Sequence, residues 1–239
     1  MKQLRSMIST SIEMNNVAIT CLDSLNKLTD AYLLLSEAST KLKQVLHVLK
    51  GFPTSYIIHK KFQYQWQELL SPQDIGAIIE PSNQEITPFL FLQALIIHDD
   101  HAAAKDEEDA ESNCASCVCP RSISRVISYN LALTAHLLGV YCGERGTAYL
   151  AEACRLYDTL GARVETKKSL SEHCSILHMA VLNNKACVCQ VYEMNDRVSY
   201  YIDKVQSILL TMKGTRFSQL KHFLLNVTIL KKRSIAPAA

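Results

Sequence analysis

Asn130-Leu-Ala-Leu-Thr-Ala-His136, followed by Ala153-x-x-x-Tyr157-x-x-Leu160, is the stretch on which the fold turns. The same arrangement occurs twice more. Upstream, Asn16-Val-Ala-Ile-Thr-Cys-Leu22 precedes Ala31-x-x-x-Leu35-x-x-Ala38; downstream, Asn184-Lys-Ala-Cys-Val-Cys189 precedes Val198-x-x-x-Ile202-x-x-Val205. Each block sets a small residue midway along a first helix: Ala18, Ala132 and Ala186. In the second helix a small or branched residue is followed by a bulky one four later and an apolar one three after that. Steps of three and four place side chains on one helical face. An alanine lets two antiparallel helices approach, and the bulky residue fills the space beside it.

Outward from these blocks the helical pattern continues. Residues 3–50 read as two helices. Ile8, Ile12, Ala18, Ile19 and Leu22 mark the first; Leu28, Ala31, Leu35, Ala38, Leu42, Val45 and Leu49 mark the second, which Gly51-Phe-Pro53 stops. Residues 122–239 predict helices near 123–141, 146–162, 170–194, 196–213 and 217–230. The middle, 52–121, differs. Phe62-Gln-Tyr-Gln-Trp-Gln67 alternates aromatic and polar residues, which predicts a strand with Phe62, Tyr64 and Trp66 on one face. Ile86 to Ile97 is a second candidate strand, although periodicity there also fits a buried helix. A two-stranded excursion is marginal alone and should pack its aromatic face on the helices. The acidic stretch His98–Glu111 and a cysteine-rich loop follow, and read as a surface loop.

Composition narrows the class. With 7 Gly and 6 Pro in 239 residues, an all-β sandwich or barrel lacks its turns. A formal net charge of +2 points to neither nucleic acid nor membrane. The start, MKQLRSMISTSIEMNN, lacks the apolar core of a signal peptide, and no run approaches the length of a membrane span. Nine cysteines, an odd number, fit a reducing compartment. The expected location is the cytoplasm, with the nucleus as the alternative.

The repeated blocks resemble the tetratricopeptide-repeat family, whose pattern has a small residue in the first helix, then A-x3-F/Y and a later alanine in the second. Asn130 to Gly139 and Leu182-Asn-Asn184 look most like such first helices. The resemblance covers about 150 residues in separate blocks. It departs from the family: the opening aromatic and the closing proline are missing, the usual tyrosine is Cys21, Ala135 or Cys189, the second pair carries extra residues between its helices, and residues 52–121 interrupt the array. What it implies is an α–α superhelix of TPR-like helical repeats, one domain over 1–239. Residues 52–121 would form a β-hairpin-like insertion with an acidic loop. It also implies a protein-binding scaffold or adaptor rather than an enzyme, with no cofactor and no small-molecule substrate.

Two residues before each packing alanine stands an asparagine: Asn16, Asn130 and Asn184. Two residues along a helix is a rotation of about 200°, so these side chains point away from the partner helix. In tetratricopeptide-like superhelices the first helices line the concave surface, where the three would form a ladder. A primary amide donates and accepts, so such a ladder can hold the backbone of an extended peptide with little regard for its sequence. Asn226 continues the series in the last helix. The alternative is that these residues cap helices or bond within the packing between repeats. Relatives that clamp a terminal carboxylate carry basic residues one turn earlier; here those positions are Ile12, Val126 and Ala180.

Other chemistry is weaker. Cys114-x-x-Cys117-x-Cys119 with His98 and His101 has the ligand types of a zinc-held interaction loop over 98–119, but no second pair at ribbon spacing. Unligated thiols are the favoured reading, so no metal is assigned. His136, on an apolar helix, reads as a packed histidine. After Asp203 no acidic residue remains while Lys204, Lys213, Arg216, Lys221, Lys231, Lys232 and Arg233 follow. That basic end offers a second reading, an acidic partner or nucleic acid. The segment has few aromatics to stack bases, so nucleic-acid binding is disfavoured.

Overall fold

The structure, a computed structural model, describes residues 2–22, 24–50, 62–69, 90–99, 120–164, 172–212 and 217–235. Among these the chain is mainly helical, with seven α-helices and one two-stranded antiparallel sheet. Where the sequence reads as a single domain, contacts group the chain into two compact units. One is Met1–Leu69 with Gln93–Thr134; the other is Leu70–Leu92 with Ala135–Ala239.

In the first unit, α1 (Lys2–Cys21) packs on α2 (Leu28–Leu49) across a short connection that ends in a 3₁₀ turn, Leu25–Lys27. Helix α2 buries Leu28, Ala31, Leu35, Ala38, Leu42, Val45 and Leu49. These positions alternate steps of three and four along its whole length, so one unbroken apolar seam faces α1. Helix α1 answers with Ile8, Ile12, Ala18 and Ile19, and also buries two polar residues, Ser11 and Asn15. The Ser11 hydroxyl donates to the Met7 carbonyl at 2.8 Å. The insertion supplies β1 (Phe62–Glu68), which pairs antiparallel with β2 (Gln93–Asp99) from Phe62 opposite Asp99 to Glu68 opposite Gln93. The second strand therefore begins later than the Ile86 expected from sequence; residues 86–89 lie outside those described. Trp66 stands edge-on to Tyr129 at 5.8 Å, so the sheet is seated on α3 (Pro120–Tyr141).

The second unit takes the end of α3 and four further helices: α4 (Thr147–Val164), α5 (Glu172–Val191), α6 (Asn195–Thr211) and α7 (Phe217–Ile235). Each of α5, α6 and α7 packs on the one before it, and α7 also touches α5. Helix α5 is buried without interruption from Ile176 to Cys189, as expected of a helix with neighbours on all sides. It stops at Val191, short of the expected 194. Glu193 takes a left-handed φ of 55°, Met194 N–H reaches Cys189 O at 2.9 Å, and Glu193 N–H reaches Gln190 O at 3.0 Å. This double closure is the Schellman stop.

The small and bulky residues of the repeated blocks are all buried: Ala18, Ala31, Leu35 and Ala38; Ala132, Ala153, Tyr157 and Leu160; Ala186, Val198, Ile202 and Val205. The turn from α3 to α4 relies on glycine. A Cβ on Gly146 would lie 1.9 Å from the Gly139 carbonyl oxygen, and Gly143 adopts a left-handed φ of 55°. Gly146→Ala must therefore push backbone against backbone. It is expected to lower stability by about 2–4 kcal/mol in urea denaturation. Gly139→Ala, whose Cβ would meet mainly the Leu150 side chain, should cost less, because a side chain can turn aside. No helix among the described residues is long and apolar enough to cross a membrane.

Candidate functional site

In each unit the asparagines of the repeated blocks grip the chain's own backbone: strand β2 in the first, and Phe91 in the second. In the first unit, Asn16 Oδ1 accepts from Ile97 N–H at 3.1 Å while its Nδ2 donates to Ile97 C=O at 2.8 Å. Asn130 does the same to Leu95, at 3.0 Å and 2.9 Å. In the second unit, Asn184 does the same to Phe91, at 2.7 Å and 3.2 Å. In extended backbone the N–H and C=O of one residue point to the same edge, and alternate residues share that edge. Residues 95 and 97 lie on one such edge of β2. Gln93 lies on it too, and its carbonyl accepts from the Tyr129 hydroxyl at 3.1 Å.

The other edge of β2 faces β1. Strand β2 is thus bonded on both sides, by a strand on one and by side chains of α1 and α3 on the other. That explains why residues 90–97 form a nearly continuous apolar run. Leu90, Phe91, Leu92, Ala94, Leu95 and Ile97 are all buried, so both faces of the segment are covered.

The clamps are themselves held. Asn15, fully buried, donates to Leu95 C=O at 3.1 Å and to Asn16 Oδ1 at 3.1 Å, and accepts from Asn130 Nδ2 at 2.8 Å. Asn183 plays the corresponding part in the second unit, donating to Asn184 Oδ1 at 3.1 Å and accepting from Asn226 Nδ2 at 2.8 Å. Asn184 Nδ2 also reaches the Tyr157 hydroxyl oxygen at 3.4 Å. Burial raises the Tyr157 pKa, so that hydroxyl stays protonated.

Asn226, expected to extend the series, is placed one step back. It donates to Asn183 and meets His222 Nε2 at 2.9 Å. Sequence reasoning also passed over Asn15, Asn183 and Tyr129. The signal lay in the doublets Asn15-Asn16 and Asn183-Asn184.

The Phe91 side chain is buried among aromatic rings. It stacks on Phe223 at 4.6 Å with 27° between the rings, and His222 stands edge-on at 5.2 Å. The groups that face the segment are amides, one tyrosine hydroxyl and aromatic rings. Such a set suits backbone and apolar side chains.

Elsewhere in the second unit an open recess of about 340 Å³ lies along α4, α5 and the start of α6, lined by Cys154, Arg155, Asp158, Cys189 and Arg197 among others. There Asp158 already pairs with Lys185, and Arg155 with Glu152. No group of three or more metal-ligating side chains occurs among the described residues. Of the zinc candidates, His98 is an exposed residue of β2, while His101, Cys114, Cys117 and Cys119 lie outside the described residues. Of the basic end, Lys213 and Arg216 also lie outside them, and Lys204 stands over the Tyr200 ring at 4.8 Å. Comparison with known protein families, with curated proteins and with solved structures finds no match.

Proposed function

We propose that this chain is a non-enzymatic protein-interaction module of the TPR-like helical-repeat type. It binds backbone through Asn16 and Asn130 in the first unit and through Asn184 in the second, and the residues each unit holds, 93–97 and Phe91, are its resident occupants. The observation that supports this reading is the paired grip of each asparagine on the N–H and C=O of a single residue. A grip on main chain is indifferent to whose chain it is, so an extended segment of another protein satisfies the same amides. A tethered occupant competes as a ligand at roughly millimolar effective concentration, which makes the resident segment a gate as well as a filler.

The test uses a released variant, Phe91→Asp/Leu95→Pro/Ile97→Pro. It sets a charge between aromatic rings and removes two of the clamped N–H donors. Circular dichroism checks that the helices persist. A fluorescein-labelled peptide with the sequence of residues 88–99 is expected to bind this variant at least about tenfold more tightly than wild type. Binding should vanish when Asn16→Ala/Asn130→Ala/Asn184→Ala is added. The affinity should change by less than about threefold between 50 and 500 mM salt, because neutral amides release no counterions. A helical released variant that leaves the peptide free would sink the proposal. A steep salt dependence would favour the basic C-terminal end instead.

A further inference from the structure

From the seat of Phe91 we infer the chemistry of the partner that the second unit takes: a segment with an aromatic anchor whose backbone Asn184 holds. The inference rests on the proposed backbone-binding role and adds a side-chain code to it. Three observations carry it. The Phe91 ring is buried, stacked on Phe223 and flanked by His222, whereas the Asn184 beside it is spent on main chain. Aromatic rings stacked in a desolvated site concentrate binding energy in one residue. At Leu95 and Ile97 the asparagines again read only backbone, and the buried side chains there are aliphatic. Ala94, fully buried before Leu95, limits that position to a small residue. By contrast, Gln93 and Ile96 are only half-buried, and those positions are free to vary. The second unit therefore selects an aromatic residue followed by an apolar one, and the first unit a small residue followed by aliphatic, any and aliphatic.

The experiment measures three labelled peptides against the released full-length variant: the 88–99 sequence, the same with Phe91→Ala, and the same with Ile96→Ala. The first should bind, the second should lose about 100-fold in affinity, and the third less than about fivefold. Adding Phe223→Leu to the protein should weaken the parent peptide but not the Phe91→Ala peptide, because the coupling belongs to that ring pair. If the released variant loses its helices, hydrogen exchange on wild type gives the same comparison. Excess parent peptide should speed exchange at residues 91–97, and the Phe91→Ala peptide should not. Equal binding of the parent and Phe91→Ala peptides overturns the anchor while leaving the backbone grip standing. Failure of the parent peptide itself overturns the underlying role.

Discussion

Asn130→Ala is expected to lower the unfolding free energy by about 3–5 kcal/mol, from two buried polar groups left without partners and a cavity. The Asn130 side chain is fully buried, and its amide closes three bonds: with Leu95 N–H, with Leu95 C=O and with Asn15 Oδ1. Alanine strands the Leu95 N–H and the Asn15 oxygen; the Leu95 carbonyl keeps its bond from Asn15. Asn16→Ala, at a half-buried position, should cost about 1–2 kcal/mol. Asn130→Asp is the sharper control. It keeps the size and the acceptor for Leu95 N–H but turns a carboxylate toward the Leu95 and Asn15 oxygens. Near neutral pH it should be at least as damaging as alanine, and it should recover as acid protonates the carboxyl. Urea denaturation gives the magnitudes, and hydrogen exchange at Leu95 shows whether the loss is local. A cost below about 1 kcal/mol for Asn130→Ala would mean that the amide does not hold the segment.

The second large effect is on acid stability. His136 is fully buried against Tyr157, ring to ring at 6.1 Å, and neither ring nitrogen has a hydrogen-bond partner among the described residues. Burial drives its pKa from 6.5 down to about 3. In the unfolded chain the ring takes up a proton below its ordinary value, while in the fold it stays neutral. Its contribution to stability is therefore whole above about pH 6.5 and is lost as pH falls toward 3. Each unit is worth about 1.4 kcal/mol, so this histidine alone should remove about 3 kcal/mol by pH 4.5. His136→Phe keeps a flat ring beside Tyr157 and removes the titration. The variant should match or exceed wild type at pH 7 and diverge from it progressively in acid. Parallel stability profiles for the two proteins would show that His136 is not held neutral.

Much of the helical frame was legible because local spacing carries it. The three-and-four rhythm of Leu28 to Leu49 needs no tertiary knowledge, and neither does the rotation that turns Asn16, Asn130 and Asn184 away from the packing alanines. The occupant was not legible. Phe89 to Ile97 is an apolar run whose periodicity fits strand or helix equally, and nothing local says which segment meets which amide. That pairing joins residues 81, 35 and 93 apart, a separation that local pattern does not encode. The stack of Phe91 on Phe223 was hidden for the same reason. That Asn226 meets Asn183 and His222 was not legible either, because a shared residue type does not reveal which neighbour an amide reaches first. The Asn-Asn doublets were visible, but only one member of each was read as functional.

The long separation between each amide and its carbonyl has a consequence for the timing of synthesis. Phe91 leaves the ribosome 93 residues before Asn184, a wait on the order of 5–20 seconds at ordinary elongation rates. Until α3 follows, the nascent Leu-Phe-Leu-Gln-Ala-Leu-Ile-Ile run, rich in strand-forming side chains and without charge, has of its described partners Asn15, Asn16 and β1 to engage, and Phe91 waits longer for Asn184. The newborn chain thus exposes an apolar segment of the aggregation-prone kind until α3 and then α5 emerge to claim it.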